Sequence, residues 1–131
     1  MPVLVGYVPT PEGKAALDTA ISEAGLRSAR LVVVNVSRGD ALVDPRYASP
    51  DQWDDVQARL AESGVEYEVH QGVEAKDPAE QLIELAAKVN AELIVIGLRR
   101  RSPVGKLILG SQAQRILLDA DSPVLAVKAS R

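Results

Sequence analysis

Four stretches of the chain run almost without a polar residue: Val3-Leu4-Val5-Gly6-Tyr7-Val8, Leu31-Val32-Val33-Val34-Asn35-Val36, Leu93-Ile94-Val95-Ile96 and Val124-Leu125-Ala126-Val127. Short, continuous, β-branched runs of this kind describe strands buried on both faces, as in a parallel sheet. Val65-Glu66-Tyr67-Glu68-Val69-His70 has a different period, with apolar and polar residues alternating. That pattern predicts a strand with one face in water, and its charges suit the edge of a sheet. Between the strands the apolar residues recur at three- and four-residue spacing, which predicts helices. The first opens with Thr10-Pro11-Glu12 as N-cap, N1 proline and first-turn acid, carries Ala16, Leu17, Ala20, Ile21 and Ala24 as its stripe, and reads as ending at Gly25. The second follows Ser49-Pro50-Asp51, buries Trp53, Val56 and Leu60, and closes near Gly64. The third starts in capping-box form at Asp77-Pro78-Ala79-Glu80, with Leu82, Ile83, Ala86 and Val89 inward. The last carries Ala113, Ile116 and Leu117 and runs to about Ala120. Residues 37–49 read as the longest loop.

Strands alternating with helices predict an α/β fold: a three-layer, open parallel sheet of five strands with helices on both faces. If the alternating third strand is an edge while the first, second and fourth are continuous, the order 3-2-1-4-5 fits. A topological switch then falls between the first and fourth strands, and ligands of open α/β sheets bind in that crevice, beyond the carboxyl ends of the strands. Val8-Pro9-Thr10 and the segment from Gly97 onward are the two tips that meet there.

The second tip carries the chemistry. LIVIGLRRRSPVGKLILGS, residues 93–111, passes from buried strand through Gly97 and Arg99-Arg100-Arg101 to Gly105, Gly110 and Ser111, where a helix begins. A helix N-terminus presents unpaired N–H groups and the positive end of its dipole, so the arrangement suits an anion and above all a phosphate. Lys106 is not a P-loop lysine, because Leu107 stands where a Ser or Thr should follow. His70 reads as a surface residue, and Asp51, Asp54 and Asp55 read as complements to a helix dipole. Trp53 is core, or a lid over the cleft. No nucleophile, base and oxyanion set can be assembled, so the chain does not read as an enzyme.

Composition narrows the picture further. The 131 residues suit one domain spanning 1–131, and with aromatics at 3% and no Phe the core must be aliphatic. A formal net charge of −3 argues against a nucleic-acid binder. The lack of cysteine removes disulfides, thiol redox chemistry and zinc–thiolate sites together. No apolar run approaches the roughly 20 residues of a membrane span, and Met-Pro-Val-Leu-Val does not read as a signal peptide, so the expected location is cytoplasmic.

At residues 97–111 and 123–128 the sequence resembles the universal stress protein family. The family signature is Gly, two residues, Gly, nine residues, then Gly followed by Ser or Thr, ahead of a helix and a Pro-Val-hydrophobic strand. Here Gly97 and Gly110-Ser111 hold the outer positions, and Arg100 stands in place of the second glycine. The resemblance implies the adenine-nucleotide-hydrolase-like sheet already reached, and a homodimer made through the last strand, Val124 to Val127. It further implies ATP or another adenine nucleotide as cofactor, with Mg2+ as its companion ion, in a stress-response regulatory module. The implied nucleotide contacts are Val8, Pro9 and Thr10, then Asn35 and Val36, then Gly97, Gly110, Ser111 and Gln112, with Arg99 and Arg100 joining on their own chemistry. Val8 departs from the family pattern, since an aspartate is usual there. The alternative reading is a nucleotide-independent dimeric interaction protein whose cleft is empty or holds phosphate or sulfate. Slow ATP hydrolysis is a third.

Overall fold

The computed structural model describes residues 1–37, 50–73, 77–98 and 110–129. The long loop expected after residue 37 and the arginine run at residues 99–101 lie outside them. Five strands, β1 (Val3–Gly6), β2 (Leu31–Ser37), β3 (Tyr67–Val73), β4 (Leu93–Leu98) and β5 (Val124–Lys128), alternate with four helices, α1 (Pro11–Arg27), α2 (Pro50–Ser63), α3 (Pro78–Val89) and α4 (Ser111–Asp119). The strands form one sheet in the order β3-β2-β1-β4-β5. Every adjacent pair is parallel, with Val5 of β1 opposite Val33 on one side and Val95 on the other. The expected order holds, with β3 and β5 at the edges.

Alternation along the central strands builds two cores, one on each face of the sheet. Val3, Val5 and Tyr7 of β1 join Ala16, Leu17 and Ala20 of α1 and Val56 and Leu60 of α2. Leu4 of β1 joins Leu82 and Ala86 of α3 and Ile116 of α4. Asn35 is the one buried polar residue among those described, and its Nδ2 donates a 2.8 Å bond to the Tyr7 carbonyl, which ties the end of β1 to β2.

The end of α1, the start of β3 and the buried stripe of α4 depart from the expectations. α1 continues through Gly25 to Arg27, and Ser28 takes the left-handed cap at φ 52°, its N–H directed to the Ala24 and Gly25 carbonyls. Arg27 makes the last turn worth keeping, bonding Glu23 one turn back and Glu92 across the molecule. β3 starts at Tyr67 rather than Val65, because the Val65 N–H is taken by the Ser63 hydroxyl that follows α2. In α4 only Ile116 is buried, whereas Leu117 is 39% exposed and Leu118 74%. α4 covers the outer part of the sheet beside α3, so its inward stripe is narrow.

Candidate functional site

β1 and β4 lie side by side, yet the chain leaves them toward opposite faces, to α1 from one and to α4 from the other. The divergence opens a crevice, and a cavity of about 150 Å³ lies in it on the α3/α4 side, with Gly6, Val8, Gly97, Ala79, Gln112 and Ile116 in its walls. In a parallel sheet each helix starts where a strand ends, so the N-termini of α1, α3 and α4 all lie at this edge.

The α1 side is packed to backbone contact. The Thr10 hydroxyl accepts a 3.1 Å bond from the Gly13 N–H, and the Thr10 N–H donates to the Val8 carbonyl at 2.8 Å. A Cβ on Gly13 would stand 1.8 Å from the Val8 carbonyl oxygen, and one on Gly97 would stand 2.4 Å from that of Glu12. Both glycines therefore let the first turn of α1 lie directly against the tips of β1 and β4. Gly97, expected as a phosphate contact, has this packing reason to be glycine.

The α4 side is open among the described residues. Gly110 is the N-cap, with φ −69° and ψ 159°, and no side chain caps the helix. Gly110 is exposed, and among the described residues nothing lies within 4 Å of where its Cβ would be. Neither its conformation nor the described residues around it demand a glycine. Ser111 is exposed beside it.

Between α3 and α4 runs a polar clasp. Asp77 does not close the expected capping box, since its side chain makes no capping hydrogen bond. Its carboxylate accepts instead from Gln112 Nε2 at 2.8 Å and from the Arg115 guanidinium at 3.1 Å. Gln112 Oε1 in turn accepts the Ala79 N–H at 2.9 Å, so α3 is capped from α4. Arg115 also reaches Glu80 at 3.1 Å and Asp119 at 3.6 Å. The Glu80 hydrogen bond and these surrounding carboxylates hold the guanidinium above its ordinary range.

Val8, Gly97 and Gln112 thus share one cavity, with Pro9 and Thr10 continuing from Val8 and Gly110 and Ser111 leading into Gln112. Val36 sits farther along the edge, near the end of β2 and opposite Gly72 of β3. Arg99 and Arg100 fall outside the described residues. Sequence reasoning missed Gly13, Asp77 as a cross-helix acceptor, and Arg115. Gly13 carried a usable signal, because a glycine in a first helical turn is a poor helix former and suggests close backbone approach.

An open, parallel α/β sheet with helix N-termini gathered at a strand-order switch defines the doubly wound class, in which that crevice is the ligand site. Within it, this chain belongs to the universal stress protein family, which it matches over residues 1–128. It is 48% identical over 126 residues to a universal stress protein of Mycolicibacterium smegmatis, covering 96% of each chain. It is similar to a solved universal stress protein from Archaeoglobus fulgidus, with 32% identity, a TM-score of 0.82 and 98% of each chain covered. A second Archaeoglobus fulgidus universal stress protein, solved in complex with dAMP, is 27% identical with a TM-score of 0.75, again over 98% of each chain.

Proposed function

We propose that the crevice between β1 and β4 binds an adenine nucleotide and that the chain acts as a cytoplasmic, nucleotide-responsive regulatory module, one domain over residues 1–131. The observation that carries this reading is the contrast within the crevice: an apolar cavity for a base or sugar, beside a helix start at Gly110-Ser111 that is exposed and uncapped. A phosphate there would meet free N–H groups and the positive end of the α4 dipole. Gly110 leaves room for close approach, and the dAMP complex of a relative supports the same ligand class. Val8, Pro9, Thr10, Val36, Gly97, Ser111 and Gln112 are the proposed wall, with Arg99 and Arg100 as further phosphate contacts. Gln112 lends chiefly its backbone, since its side chain is engaged by α3. Among the described residues no group of three or more His, Asp or Glu side chains comes together for a metal. Mg2+ would therefore enter with the phosphates and its own water. The described helices include none long and apolar enough to cross a membrane.

Calorimetric titration with AMP, ADP and ATP tests the reading. Affinity should rise with phosphate number, and Arg100→Gly should weaken it about tenfold or more if the arginine is a contact. Failure of all three at about 1 mM, a binding free energy near −4 kcal/mol, removes the nucleotide reading.

The runner-up, a nucleotide-independent interaction protein, is favoured by one observation: β5 is an edge strand bearing Leu125, 36% exposed. Bare apolar edges invite pairing. A homodimer through Val124 to Val127 would satisfy that edge, and it is compatible with either reading. Leu125→Arg should convert a dimer to monomer in sedimentation velocity; a wild-type chain that is monomeric at tens of micromolar would remove the dimer.

A further inference from the structure

Tyr7 stands in the wall of the crevice just described, but its ring packs into the core on the other face of the sheet. Tyr7 is 2% exposed, and its backbone N–H and carbonyl are bonded to Val34 and Asn35. Its hydroxyl has no hydrogen-bond partner among the described residues. Buried hydroxyls are nearly always bonded, and one that is not calls for an explanation. The ring lies on the α1/α2 face with Val3 and Val5, stacked on Trp53 with centroids 6.0 Å apart and planes 21° from parallel.

On that face, between α1 and α2, lies a second cavity of about 230 Å³, lined by Tyr7 and by Lys14, Leu17 and Asp18 of α1 and Asp55, Val56 and Arg59 of α2. Burial, and then the charge of Asp55, raise the phenol above its ordinary range, so the hydroxyl keeps its proton. Arg59 and Asp18 form an ion pair across the two helices. Lys14 and Asp55, both exposed, make no ion pair among the described residues. The cavity therefore offers an unused ammonium, an unused carboxylate and a buried, unused hydroxyl over a floor of Leu17 and Val56. A simple anion entering it would face Asp55, and a simple cation would face Lys14. A molecule carrying both charges meets a complement to each.

We propose that the groove between α1 and α2 binds a small zwitterion of the free amino acid class, Lys14 holding its carboxylate, Asp55 its ammonium and the Tyr7 hydroxyl donating to the carboxylate. The site lies on the other face of the sheet from the nucleotide crevice, with Tyr7 in the wall of both.

Trp53 is the only tryptophan and touches Tyr7, so its fluorescence reads the site directly. The full chain is titrated with glycine, alanine, serine and glutamate, and with acetate and methylammonium as single-charge controls. At least one amino acid should give a saturable change, and both controls should give none. Tyr7→Phe keeps the ring and its stacking while removing the hydroxyl; Lys14→Met changes only an exposed position. Each should weaken binding about tenfold, and Lys14→Met should leave AMP titration unchanged. The proposal is overturned by silence from all four amino acids up to about 10 mM, by equal binding of acetate or methylammonium, or by Tyr7→Phe binding as the parent does, which would leave the hydroxyl bonded to solvent alone.

Discussion

Gly97 and Gly110 close the two ends of one signature, and the structure gives them opposite reasons to be glycine. At Gly97 any side chain would collide with the Glu12 backbone, while at Gly110 a side chain would meet only open space among the described residues. One end of the motif holds the crevice together and the other leaves it open. A motif read as a single phosphate cradle thus divides into a packing half, built on α1, and a ligand-facing half, built on α4. Shared membership of a motif says little about which half a residue serves; the nearest atoms to its missing Cβ say more.

The comparison can be broken most directly at Gly97. Gly97→Ala should destabilise the fold by about 3 kcal/mol, because the neighbour is backbone and cannot turn aside, and urea denaturation measures it. A midpoint equal to that of the parent would show that Gly97 has no packing role. Gly110→Val is the converse: it should cost only about 1 kcal/mol, as a poorer N-cap, yet abolish nucleotide binding by filling the approach to the helix start. Gly110→Ser sharpens the distinction. A serine caps well and should preserve or slightly raise stability, but its hydroxyl would occupy the N–H groups a phosphate needs, so affinity should fall while the denaturation midpoint holds. The smallest effect belongs to the packed side, at Tyr7. Its phenol is raised from 10.0 by burial and by Asp55. Above pH 10 the unfolded chain loses that proton while the folded chain keeps it, so this group's contribution is fully present below pH 10 and declines as pH rises through the folded value. Tyr7→Phe should flatten the loss of stability above pH 10 in a series of thermal melts; an unchanged slope would mean that the phenol titrates alike in both states.

The strand order was legible because period alone separates Val65-Glu66-Tyr67-Glu68 from the unbroken runs, and an edge strand constrains where the others go. The switch between β1 and β4, and with it the crevice, followed from the order. What escaped were decisions made across long separations. Asp77-Pro78-Ala79-Glu80 has every local mark of a capping box, but Gln112 and Arg115 claim its carboxylate from another helix. Gly25 is a good helix stop by composition, yet Arg27 finds partners on both Glu23 and Glu92, and Ser28 turns the chain instead. Leu117 fits the stripe of α4, but the width of surface α4 can cover is set by α3 and the sheet. The packing role of Gly97 was likewise hidden, since its counterpart is a carbonyl 85 positions earlier in the chain (97 minus 12).

The cap on α3 has a consequence for the order of assembly. The Ala79 N–H bonds an acceptor 33 residues further along, and the Asp77 carboxylate waits for partners 35 and 38 residues away. A chain synthesised from its N-terminus exposes α3 well before α4 exists. During that interval the Ala79 N–H lacks the Gln112 acceptor that caps it in the folded chain, and the first turn of α3 is held less firmly. Fastening comes only when the segment through Arg115 has been released and has coiled, late in synthesis and at the cost of closing a long loop. The mouth of the crevice is thus among the last parts of the molecule to set, and a half-made chain has no finished pocket in which to capture a ligand early.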